Sequence, residues 1–154
     1  KQFQFTKLAY WLILVHAIIL MIGGHYTYAE VPLFNWIRDT FNLGRNHYDK
    51  VGHFAQGFVP AIIAREILIR KSPIKHGKWL SFMVICISLA LSATYEFFEW
   101  WVSEITGTAA EEFLGTQGYV WDTQSDMFMA LLGAITALGL LSRVHNRAIS
   151  LDYK

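Results

Sequence analysis

Two acids near the end of an apolar run, Glu96 and Glu99 in Ala93-Thr-Tyr-Glu-Phe-Phe-Glu-Trp-Trp101, are the residues of this chain best placed to do chemistry. Carboxylates at membrane depth are costly to insert and usually face a polar interior or a water-filled cavity, so each marks a functional-site candidate. Four further residues have the spacing to join them. Asp49 and His53 are four apart, Glu96 and Glu99 three apart, and Asp122 and Asp126 four apart. Either interval sets two side chains on one helical face, so three helices would each bring a polar pair to a common site. Such a set can bind one divalent metal ion, the carboxylates favouring Mg, Mn or Ca and the histidine admitting Zn or Fe. It can equally supply an acid and a base, since crowded carboxylates in a dry place cannot all ionise. Glu96, His53, Asp49 and Asp126 are the expected catalytic members; Glu99 and Asp122 complete the metal-ligand candidates. Arg45, Arg38, His25 and Tyr95 are the expected contacts for a substrate head group.

The spacing alone does not choose between these chemistries. There is no HExxH motif, and the Glu-x-x-His pairs of di-metal bundles are missing. The same acids and histidine also fit a hydrogen-bonded network that holds helix register, and Asp122 fits the N-cap of the last helix. His16 reads as a packed, hydrogen-bonded residue of the first helix. Arg65 and Glu66 read as a snorkelling or mutually paired couple near a helix end. Arg45, Arg38 and Lys50 fit interfacial anchoring as well as head-group contact.

The elements that position these residues follow from hydropathy. Of the 154 residues 54% are hydrophobic and 16% charged, below the roughly one quarter charged that is typical of soluble domains, and the surplus apolar surface needs lipid. Four spans of one membrane domain over residues 1–154 are predicted, at about 8–28, 49–69, 79–101 and 126–142. The first, with Lys1 and Lys7 ahead of it, is expected to be retained as an anchor, because Gly23-Gly24-His25-Tyr26 lengthens it and offers a poor cleavage site. A short surface helix over Phe34 to Phe41, marked by Pro32, puts Trp36, Ile37 and Phe41 on one face. Pro60 should kink the second span. Cys86 is the single cysteine, which excludes a disulfide within one chain.

Charge sets the topology. Arg65, Arg70, Lys71, Lys75 and Lys78 crowd one segment, while no Lys or Arg occurs between Lys78 and Arg143. Positive charge near span ends marks the cytoplasmic side. Both termini are therefore expected in the cytoplasm, with an acidic loop carrying Glu104, Glu111, Glu112 and Asp122 outside. The polar site then lies toward the outer face of a bacterial inner membrane. The uneven charge is a topology signal and leaves no nucleic-acid footprint. The expected class is an all-α, integral four-helix membrane bundle; its partners are the bilayer, a lipid or lipid-linked substrate, or a second membrane protein.

Four motifs carry a family likeness: Gly24-His-Tyr-Thr-Tyr-Ala-Glu-Val-Pro32, Arg45-Asn-His-Tyr-Asp-Lys-Val-Gly-His-Phe-Ala-Gln-Gly-Phe-Val-Pro-Ala61, Ser92-Ala-Thr-Tyr-Glu-Phe-Phe-Glu-Trp-Trp101 and Gly115-Thr-Gln-Gly-Tyr-Val-Trp-Asp-Thr-Gln-Ser-Asp-Met127. In order along the chain, they resemble the YjdF-like family of uncharacterised bacterial inner-membrane proteins. Tyr119 departs from it, standing where the likeness leads us to expect an acid. A more distant likeness is to VanZ-like membrane proteins, linked to glycopeptide resistance at the cell surface. That likeness implies a shared polar site of Asp49, His53, Glu96 or Glu99, and Asp126. It implies no reaction.

Overall fold

The computed structural model describes residues 3–107 and 119–152. Five helices are found among them and no strand: α1 (Lys7–His25), α2 (Pro32–Phe41), α3 (Tyr48–Lys71), α4 (Lys78–Thr106) and α5 (Asp122–Asp152). Each expected helix is present, the last about ten residues longer than its apolar core. The polar residues after Leu141 continue the helix because their side chains find partners on α3, as described below. Glu111, Glu112 and Lys154 lie outside the described residues.

Three helices, α1, α4 and α5, are long and apolar enough to cross a membrane. α3 is not, since it carries Asp49, Lys50, Arg65, Glu66, Arg70 and Lys71. It is instead the helix the others enclose: α1, α4 and α5 all pack on it, α4 and α5 pack on each other, and α1 and α4 scarcely touch. Its buried positions run from Tyr48 to Glu66 and its helix continues through Pro60. Polar side chains can sit on such a helix because protein, rather than lipid, surrounds them.

Small residues decide how close α3 and α5 come. A Cβ added at Gly57 would collide with the Ala130 backbone, and one added at Gly133 with the carbonyl of Phe54. Backbones pressed together in this way gain van der Waals contact that lipid cannot replace. Below that crossing, Ala61 and Ile62 of α3, Leu80 and Val84 of α4, and Ala134 and Ala137 of α5 form the apolar core.

α4 offers the bundle a single narrow stripe. Its buried residues are Leu80, Val84, Ser88, Ser92 and Glu96, each four apart and hence on one face. Many of its other side chains, including Phe82, Phe97, Phe98 and Trp101, are exposed, as expected of a surface that faces lipid. α2 begins with Pro32 at its first turn and ends at Asn42 in the left-handed conformation. It leaves Leu33, Trp36 and Phe41 exposed, in keeping with an interfacial helix.

Candidate functional site

The N-terminal end of α3, the C-terminal half of α4 and the start of α5 converge at one end of the molecule. The close crossing at Gly57 and Gly133 brings the first turns of α5 against those of α3. Asp126 is thereby drawn to the face that carries Asp49 and His53. Asp49, His53 and Asp126 offer ligand atoms within 4.8 Å of one another, and so do His53, Glu96 and Glu99. His53 is common to both sets.

The two halves of this cluster differ in how well they are satisfied. Lys50 lies on the Asp half, its Nζ donating to Asp122 Oδ1 at 2.8 Å and to Asp126 Oδ1 at 2.6 Å. Arg45 NH1 donates to the same Asp122 oxygen at 2.7 Å. His53 Nε2 stands 3.2 Å from Asp49 Oδ1. Arg45 and Lys50, expected as interfacial anchors or head-group contacts, are thus part-buried counter-ions of the acids in this structure. The centre of the Tyr119 ring lies 5.7 Å from the Arg45 guanidinium carbon, a cation–π distance.

The Glu half has no such cation. Glu96 is only 7% exposed and His53 4%. Glu96 Oε1 and His53 Nδ1 face each other at 3.7 Å, too far for a hydrogen bond. Neither atom has another hydrogen-bond partner. Oε1 is thus the uncommitted oxygen of the Glu96 carboxylate. A buried polar atom left unpaired costs about 1–3 kcal/mol, more for a charged group, so two facing each other call for an explanation.

Charge sharpens the contrast. Asp49, Glu96, Glu99, Asp122 and Asp126 are five carboxylates, against the fixed cations Arg45 and Lys50. With His53 neutral the formal balance is −3. Two like charges 4 Å apart repel by about 4 kcal/mol at an effective dielectric near 20. The Glu half, with no Lys or Arg among the described residues paired to it, is therefore the part of the cluster that would gain most from a bound cation.

A small cavity of about 30 Å³ adjoins it, lined by Asp49, Gly52, His53, Gln56, Tyr95 and Glu99 of α3 and α4, with Leu20 and Tyr28 across from them. That is space for roughly two waters or one ion. The His53 and Tyr95 rings meet edge to face at 5.8 Å. Of the expected head-group contacts, Tyr95 is at the cavity. Arg38 pairs with its neighbour Asp39 on α2, and His25 is exposed at the end of α1 against Tyr26.

Several residues of the cluster escaped the sequence reading. Ser88 and Ser92 lie fully buried in line beneath Glu96, and their hydroxyls have no hydrogen-bond partner. Their spacing of four from Glu96 was a readable signal. Gly52 and Gln56 extend the Asp49 and His53 face by the same rule. Tyr28 had no signal: it reaches the cavity through a turn in which Thr27 and Tyr28 both adopt positive φ.

A second buried cluster lies at the opposite end. Glu66 accepts from the Thr6 backbone N–H at 2.9 Å, from the Thr6 hydroxyl at 2.8 Å and from Arg70 at 2.7 Å. His145 Nε2 stands 3.1 Å from the same carboxylate. Arg65 reaches His145 at 3.0 Å and Asn146 at 2.6 Å. The expected snorkelling couple is thus an enclosed network in which Arg65 and Glu66 bind α5 and the N-terminal segment rather than each other. His16, expected to be hydrogen-bonded, has an Nε2 without a partner.

Known proteins match this chain closely. It is 52% identical over 149 residues to the inner membrane protein YjdF of Escherichia coli (strain K12), an alignment covering 97% of this chain and 71% of that protein. No solved structure matches it. A profile described as predicted membrane protein (DUF2238) matches residues 1–147. With nearly the whole sequence and all three polar helices inside that match, the chain belongs to the DUF2238 family of predicted membrane proteins.

Proposed function

We propose that this chain is an inner-membrane protein of four transmembrane helices whose function rests on a divalent-cation site. α3 crosses as the fourth span, sheathed by α1, α4 and α5. His53, Glu96 and Glu99 hold the ion, and Asp49 and Asp126 orient His53 from its other nitrogen. The ion serves chemistry on a lipid or lipid-linked head group. The basic segment after α3 supports cytoplasmic termini, with the site toward the outer face.

The observation that carries this reading is the unpaired couple, Glu96 Oε1 and His53 Nδ1, buried and 3.7 Å apart. An ion held at about 2.1–2.3 Å from each atom would subtend an angle of roughly 105–125° between them, within the range of tetrahedral or trigonal coordination. His53 Nε2, at 3.2 Å from Asp49, would then donate to a carboxylate, the usual support for a metal-bound imidazole.

Calorimetric titration of the purified protein in detergent with Mn²⁺ and with Zn²⁺ tests it. One ion per chain is expected, with affinity falling about tenfold or more in Glu96→Gln and in His53→Ala. A folded wild-type chain that binds neither ion would end the proposal.

A second reading is supported by the Asp half. Lys50 bridging Asp122 and Asp126 is a satisfied ion-pair network, and such a network can hold α5 on α3 without any ligand. On that reading the protein is a structural or accessory partner in a membrane complex.

A further inference from the structure

α1 and α4 both lie on α3, yet they scarcely touch, and the cavity opens between them. Leu20 on α1 and Tyr95 on α4, its two lips, are 38% and 37% exposed. Both helices are apolar enough to lie in lipid. On the membrane reading proposed above, the opening faces the bilayer sideways. His16 stands one turn deeper than Leu20 on the same face of α1, with its Nε2 unpaired.

The geometry points to a lateral portal between α1 and α4 that admits the head group of an aminophospholipid, its ammonium entering the cavity and its acyl chains remaining in the bilayer. This rests on the proposed membrane site and names its ligand class. The choice of head group follows from charge. Five carboxylates share the cluster with only two fixed cations, Arg45 and Lys50, so an added anion is disfavoured there and a cation favoured. The cavity wall suits an ammonium: Glu99 and Gln56 offer acceptor oxygens, Asp49 Oδ2 makes no hydrogen bond although Lys50 and Arg45 stand 3.5 and 3.6 Å from it, and Tyr28 and Tyr95 offer ring faces. Depth agrees as well. With the ammonium at Asp49, the glycerol esters fall along the seam toward His16, whose unpaired ring nitrogen can donate to a carbonyl. Gly52 lines the cavity opposite Tyr28; a Cβ there would meet the ring at ordinary contact, 3.6 Å, and a larger side chain would fill the space.

Native mass spectrometry of the detergent-purified protein, mixed with equal amounts of phosphatidylethanolamine and phosphatidylglycerol of the same acyl chains, tests the portal. At least a tenfold preference for phosphatidylethanolamine is expected, lost in Glu99→Gln and in Leu20→Trp, which closes the lip at an exposed position. Gly52→Val, which fills the cavity from α3, should do the same. Equal or stronger retention of phosphatidylglycerol would overturn the head-group assignment. Preference unchanged in both Leu20→Trp and Gly52→Val would overturn the portal. Manganese content of the same wild-type preparation separates the two readings, because an ion-free protein that still selects phosphatidylethanolamine would sink the metal site alone.

Discussion

At the scale of single residues, burial by itself says little about role; what matters is whether each polar atom is answered. Lys50 and Glu96 sit within the same cluster and make opposite predictions. Lys50 satisfies Asp122 and Asp126 at once. Its replacement leaves buried Asp126 without that cation and Asp122 with Arg45 alone, and breaking a buried pair from one side costs about 3–5 kcal/mol. Lys50→Met should therefore lower the thermal midpoint steeply. Glu96→Gln removes a charge whose Oε1 is already unpaired, so without added metal it should be neutral or mildly stabilising. Thermal melts of both variants in one detergent check this. A loss in Glu96→Gln as large as in Lys50→Met would make Glu96 a structural residue and favour the second reading.

At the scale of elements, the site depends on how closely α3 and α5 cross. Gly57 meets the Ala130 backbone and Gly133 the Phe54 carbonyl. A methyl at either must push one helix away, and such overpacking costs about 1–3 kcal/mol. The displacement would also carry Asp126 from Asp49 and His53. Gly57→Ala and Gly133→Ala should thus lower stability and weaken ion binding together. Gly139 meets nothing within 4 Å, so Gly139→Ala should gain roughly 0.5–1 kcal/mol from helix propensity. Equal behaviour of the three variants would show that the crossing does not set the site. α1 is held differently: it has few buried side chains, but its start is tied through Thr6 to Glu66. Near its other end, Tyr48 donates to the Ile19 carbonyl at 2.9 Å. A helix fixed at both ends and loose on one flank leaves the seam beside α4 open.

At the scale of the whole molecule, two polar clusters lie at opposite ends of α3. His53 and Glu66 are about 20 Å apart at 1.5 Å per residue, with the apolar core of Ile62, Val84 and Ala134 between them. That separation is less than a hydrocarbon core of about 30 Å, so both clusters sit just inside the two faces if α3 spans. In a Cys86→Ala background, a cysteine at Asn42 should react with an impermeant maleimide from outside intact spheroplasts, and one at Lys75 only after permeabilisation. Labelling of both from the same side would mean that α3 does not cross.

Hydropathy and charge, both local quantities, were enough to place the helices, predict the membrane and draw attention to Asp49, His53, Glu96, Glu99, Asp122 and Asp126. The i, i+4 rule carries such information within one helix, and it extended to Ser88, Ser92 and Gln56 had it been followed further. It carries none between helices. That Lys50 and Arg45 turn inward to the Asp side chains, that Glu66 meets Thr6 and His145, and that Tyr28 reaches over Gly52 all depend on contacts between residues far apart in the chain. Whether a buried charge is answered is a property of the packed bundle. The sequence alone thus determined which residues are costly to bury; only the tertiary structure decided which of them are already paired, and which, at His53 and Glu96, are not.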